Sequence, residues 1–95
     1  MEYKVLDSLL LGQVRLTIMS LLMRQREADF VFLKGETQTS GGNLSVQLNK
    51  LKKAGYIELK KSFKVNYPQT VCKLTAKGEV AFNKFVEDLQ WYIKA

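Results

Sequence analysis

The sequence predicts a mainly helical α+β chain: three helices, a β-hairpin, and one long C-terminal helix. Two observations carry this expectation. Apolar residues recur every three or four positions from Gln13 to about residue 54 and again after residue 75, whereas between Gly55 and Thr75 they alternate with polar ones. The only proline, Pro68, falls inside the alternating stretch, where two strands have to reverse. With 95 residues, 46% of them hydrophobic, the chain can bury one core, so residues 1–95 are read as a single domain.

The first helix is expected from Gln13 to about Gln25, opened by Gly12, with Val14, Ile18, Leu21 and Leu22 as its stripe. Leu16, Met19 and Met23 form a second flank, so this helix is apolar over most of its circumference and is buried on two sides. Ahead of it, Tyr3, Val5, Leu6, Leu9, Leu10 and Leu11 add more apolar surface than the edge of a small domain exposes. The N-terminus therefore either folds back over its own core or covers a partner chain.

Asp29 is placed to cap a second, short helix from Phe30 to about Thr37, with Phe30 and Leu33 inward. Thr39-Ser40-Gly41-Gly42 then reads as a turn, and a third helix over about 41–54 follows, with Leu44, Leu48 and Leu51 inward and Gly55 as its stop. Two short helices joined in this way make a helix-turn-helix. In the hairpin, 57–74, Ile57 and Leu59 alternate with Glu58 and Lys60, and Cys72 and Leu74 with Val71 and Lys73; residues 65–68 are taken as the turn. The alternation makes Cys72 a buried, inert strand cysteine. Thr75 caps a final helix of about 18 residues, roughly 27 Å long, whose inner stripe is Phe82, Phe85, Val86, Leu89 and Ile93. Val80 and Trp91 fall on its other side.

Composition removes several functions. The chain has no His and one Cys, so the commonest general base and metal ligand is missing and neither an internal disulfide nor a thiolate zinc site can form. No nucleophile and base stand at a telling spacing, and the expectation is a protein that is not an enzyme and needs no cofactor or metal. Leu9–Leu11 is too short a run for a signal-peptide core or a membrane span, which points to a cytoplasmic protein with no membrane partner. The net charge of +6 favours an anionic partner, and its position is more informative than its size. Residues 40–77 carry eight lysines and one acid, a net of +7, while residues 1–39 sum to zero and 78–95 to −1. A solvated lysine face is the bland explanation; one acid in 38 residues favours a binding surface.

In its order of elements the chain resembles the winged-helix transcriptional regulators of the MarR-like and ArsR-like kind, and most nearly their minimal single-domain members. The resemblance rests on Val14-Arg15-Leu16 with Ile18, Asp29-Phe30 with Leu33, Gly42-Asn43-Leu44-Ser45 with Leu48 and Leu51, Lys53-Ala54-Gly55-Tyr56-Ile57, and Leu74-Thr75 with Gly78. It spans about residues 6–90. Val46-Gln47 depart from it, since many such regulators carry polar or basic residues there. The resemblance implies a winged helix-turn-helix that binds double-stranded DNA; the sequence leaves the existence and identity of any effector unknown. It also implies a homodimer paired through its terminal helices.

On that fold the third helix enters the major groove. With its leucines inward, Gly42, Asn43, Val46, Asn49, Lys50 and Lys53 face outward, Gln47 lies at the flank, and Ser40 and Ser45 stand at the helix start. Asn43 and Asn49 can pair with base edges, Val46 can pack on a thymine methyl, and Gly42 lets backbone approach closely. Asn43 and Ser45 can equally serve as a cap and a turn residue. The wing adds Lys60, Lys61 and Lys64 against phosphates, with Asn66 or Tyr67 at its tip. Tyr3, Leu6, Leu9, Leu10, Phe85, Leu89, Trp91 and Tyr92 are the expected dimer interface. The competing expectation is a winged helix used as a protein-protein interaction module or as a subunit of a larger assembly.

Overall fold

The computed structural model describes residues 2–64 and 67–94, which form five helices and one three-stranded sheet. In order these are α1 (Ser8–Leu11), α2 (Gln13–Gln25), β1 (Glu27–Asp29), α3 (Phe30–Thr37), α4 (Gly41–Lys53), β2 (Ile57–Lys64), β3 (Tyr67–Leu74) and α5 (Ala76–Lys94). The class is the mainly helical α+β one that the periodicity predicts. One core joins Leu10 of α1, Ile18, Met19 and Leu22 of α2, Leu33 of α3, Leu44, Leu48 and Leu51 of α4, Ile57 and Cys72 of the hairpin, and Phe85 of α5. Burying side chains of this size contributes about 1.5–3 kcal/mol each, and that is what fixes the helices against one another.

The predicted helix boundaries follow from caps that local residues make. Asp29 accepts a hydrogen bond from the Phe32 amide at 2.8 Å, and Ser40 Oγ accepts one from the Asn43 amide at 3.1 Å. Gly55, at φ +81°, ends α4 in a left-handed turn whose Tyr56 amide donates to Leu51 O at 3.0 Å. Thr75 Oγ1 accepts from the Gly78 amide at 3.0 Å and donates to Gly55 O at 2.6 Å, which ties the start of α5 to the base of the hairpin. Gly78 lies so close to the Tyr56 carbonyl that a Cβ there would overlap it.

Two elements lie outside the sequence reading. The single turn α1, capped by Asp7 accepting from the Leu9 amide at 3.0 Å, folds back and puts Leu10 wholly inside. The three-residue β1 pairs antiparallel with β3, Ala28 opposite Cys72. A three-residue strand is too short for alternation to mark it, and only the presence of β3 beside it makes it a strand. The chain enters β1 through Arg26, which takes a left-handed φ of 72° after α2.

Three expectations are corrected. Tyr67 and Pro68 belong to β3, opposite Lys64 and Phe63, rather than to the turn. Proline is tolerated there because β1 covers β3 only at residues 71–73, leaving 67–70 with β2 alone as a neighbour. In α5, Val86 and Ile93 are 39% and 67% exposed, while Asp88 is buried beside Lys84, whose ammonium it binds at 2.7 Å. Docking of Gly78 on Tyr56 sets the rotation of α5 and turns Phe85 and Asp88 inward. Leu10 and Phe85, both expected at an interface, are spent inside the chain's own core at 0% and 4% exposure, Phe85 as its place on the inner stripe of the last helix predicts. The N-terminal segment lies along α5: Tyr92 Oη donates to Lys4 O, and Tyr56 Oη donates to Asp7 Oδ2. That bond holds the Tyr56 phenol well above its usual range, at about 12. Cys72, 1% exposed, is likewise pushed to about 12 by burial, as the inert reading requires.

Candidate nucleic-acid interface

α4 buries Leu44, Leu48 and Leu51, and this turns its opposite side to solvent as one continuous strip. Gly42, Asn43, Val46, Asn49, Lys50 and Lys53 are all exposed along it, Val46 to 50%. The helix has 13 residues, so the strip is roughly 20 Å long, and its width suits a B-form major groove. A Cβ added at Gly42 meets no atom within 4 Å, so nothing in the fold requires glycine there.

A chain of hydrogen bonds crosses the start of this strip. Arg15, on α2, donates through Nη1 to Gln47 Oε1; Gln47 Nε2 donates to Asn43 Oδ1 at 3.1 Å; and Asn43 Nδ2 donates to Thr39 Oγ1 at 2.7 Å. Arg15 Nε also donates to Leu9 O at 2.6 Å. Gln47 is thus a partly buried relay between α2 and Asn43 rather than a free flank residue. Ser40 is committed as the helix cap, and it can still donate its own hydroxyl hydrogen outward.

The hairpin register divides its lysines. Lys61, opposite Thr70, shares a face with Ile57, Leu59 and Cys72, and with Ser45, Asn49 and Lys52 it lines a groove between α4 and the hairpin. Lys60, opposite Val71, lies on the other face. Among the described residues the ion pairs are Arg26–Glu79 at 2.7 Å and Lys84–Asp88, so the positive charge around α4 and the hairpin is left uncompensated. Helix strip, groove and projecting hairpin together form a cationic surface that fits a nucleic-acid backbone on either side of a protruding helix.

A family model for the winged-helix DNA-binding domain matches residues 14–93. The chain belongs to that family. An uncharacterized protein of Methanocaldococcus jannaschii is 36% identical over 76 residues, covering 80% of this chain and 83% of that one. The structure of a transcriptional regulator homologue from Pyrococcus horikoshii superposes with a TM-score of 0.86 at 27% identity, over 93% of this chain and 87% of the other. BpsR of Bordetella bronchiseptica shares the fold, with a TM-score of 0.72 at 13% identity, over 90% of this chain and 64% of its own. The chain is therefore a winged helix, similar in structure to solved transcriptional regulators, and DNA is what such a domain binds.

On a winged helix α4 stands at the position of a recognition helix and β2–β3 at that of a wing. The predicted recognition residues Ser40, Gly42, Asn43, Ser45, Val46, Asn49, Lys50 and Lys53 are exposed and Gly42 to Lys53 share the helix, but Ser45 and Asn49 open onto the groove beside the wing. Of the predicted wing residues, Lys60, Lys61 and Tyr67 are exposed; Asn66 and the side chain of Lys64 lie outside the described residues. Two residues escaped the sequence reading. Lys52 joins Lys61 in the groove, at a position that borders the buried stripe one turn after Leu48. Arg15 reaches α4 from 32 residues away, and no local pattern connects the two. Among the described residues no helix is long and apolar enough to cross a membrane.

Proposed function

We propose that the chain acts as one winged-helix unit over residues 1–95 and binds duplex DNA sequence-specifically as a homodimer, as a non-enzymatic, cytoplasmic transcriptional regulator. The recognition helix enters the major groove through Asn43, Val46, Asn49 and Lys50, with Lys53 and Lys61 meeting phosphates on either side of it and the wing tip directed at the adjacent minor groove. The observation that carries this reading is the solvent-exposed strip of α4 lying beside uncompensated lysines. A groove-reading helix needs both, and a core helix needs neither.

The dimer reading draws on apolar side chains left exposed at both ends of the chain: Tyr3 (64%), Val5, Leu11, Tyr92 and Ile93. Trp91 packs edge-on to Tyr92, with ring centroids 5.0 Å apart. Leu6, Leu9 and Leu89 are half-used by the chain's own core. A two-fold pair presents two recognition helices to one side of the duplex, and its site is a rough palindrome with half-sites about one helical turn apart.

Selection of bound duplexes from fragmented genomic DNA, followed by anisotropy titration of the winner at several salt concentrations, tests the reading. Enrichment of a palindrome and a steep fall of affinity with salt support it. Charge reversal at Lys50 and Lys61 is expected to abolish binding. A protein that enriches no duplex, yet still assembles, fits the protein-interaction alternative instead.

A further inference from the structure

We infer that Arg15 is a positioning residue that fixes the order in which the recognition helix offers Asn43's donor and acceptor to a base. This rests on the DNA-binding reading above. A guanidinium only donates, so Gln47 must turn its carbonyl oxygen toward Arg15. Its amide nitrogen is then turned to Asn43, at 3.1 Å from Oδ1, which leaves Asn43 Nδ2 facing Thr39 at 2.7 Å. The Thr39 hydroxyl donates or accepts equally well, so it cannot set the order by itself. Arg15 is the one member of the chain that cannot reverse, and both amides follow it. Asn43 keeps one free N–H on the Thr39 side and one free lone pair on the Gln47 side. That pattern matches the N6 donor and N7 acceptor of adenine in one orientation, and a flipped amide presents it backwards. The ligand implied is a duplex with adenine at the base that Asn43 meets.

Gly12 supplies the room that Arg15 uses. A Cβ at Gly12 would stand 2.5 Å from Arg15 Nη2 and 2.7 Å from Cζ, although its backbone, at φ −69°, accepts any residue. Gly12→Ala therefore displaces the guanidinium without changing the charge of the protein. It separates positioning from electrostatics.

The experiment is binding-site selection from random duplexes with the wild type, G12A, R15Q, N43A and the pair G12A/N43A. Affinities are then measured on the selected duplex, on its single-position variants and on a non-specific duplex across salt. At the position whose preference N43A removes, G12A and R15Q are expected to lose discrimination by about tenfold, within the range of one bidentate base contact. G12A keeps the wild-type salt slope and non-specific affinity, and adds nothing to N43A. If R15Q weakens all duplexes equally and lowers the salt slope by about one, Arg15 is a phosphate contact and the inference fails. Unchanged preference in G12A also overturns it, and G12A carries the test even where R15Q melts early. A wild type without any sequence preference defeats the regulator reading itself, a result separate from variants that match a selective wild type.

Discussion

Gly42→Ala separates what the fold needs from what the interface needs, because its two effects have opposite signs. An added Cβ at residue 42 meets no protein atom within 4 Å, and the position lies in the first turn of α4. Folding therefore gains the entropy that glycine wastes in a helix, about 0.5–1 kcal/mol. For a domain of this size that corresponds to a rise in Tm of about 2–8 °C. On DNA the same methyl group stands on the exposed strip of α4, where glycine is expected to let the backbone approach closely. An extra methyl in a close-packed contact costs about 1–3 kcal/mol, or roughly 5- to 150-fold in affinity. Thermal melting by circular dichroism reads the first effect and anisotropy on the selected duplex the second. A lower Tm refutes the open-space argument. A higher Tm with unchanged affinity refutes close approach at Gly42 and moves the contact further along the helix.

The register of the wing makes Lys61→Gln lower the salt slope of DNA binding by about 0.9, the value of one phosphate contact, while Lys60→Gln leaves it nearly unchanged; equal effects in an anisotropy series overturn the division of faces. Gly78→Ala is the converse of Gly42→Ala. Its Cβ runs into the Tyr56 backbone, which cannot give way, so a loss of about 1–3 kcal/mol is expected in urea unfolding. Tyr56, raised from 10.0 to about 12 by donating to Asp7, holds its proton more tightly folded than unfolded. The stability this bond provides is complete below pH 10 and is lost as pH rises through 12. Alkaline absorbance titration, compared with Tyr56→Phe, is expected to find one tyrosine ionising late, and Asp7→Asn to bring it back toward 10.

The order of the four longer helices and the hairpin, the caps of α3, α4 and α5 and the buried stripe of α4 are legible in the residues themselves, since each depends on neighbours close in the chain. Asp29, Ser40, Gly55 and Thr75 act through backbone groups one to three residues away or close a turn locally, and Leu44, Leu48 and Leu51 declare a face by spacing alone. The charge map is local in the same sense, and it pointed to the recognition helix and wing. By contrast, β1 exists only because β3 pairs with it, and Val86 and Ile93 are exposed because the contact of Gly78 with Tyr56 sets the rotation of α5.

By itself, then, the sequence determined a helix-turn-helix with a lysine-rich hairpin and an anionic partner. Tertiary structure alone decided which cations work together: cross-strand register put Lys61 and Lys60 on opposite faces, and packing of α2 brought Arg15 to Gln47. It also decided which apolar residues remain for a partner, because Leu10 and Phe85 were used up inside while Tyr3 and Tyr92 were not. The physical reason is range. Periodicity and capping are set by bonds a few residues long, whereas register and docking depend on groups that the chain brings together only after it has folded.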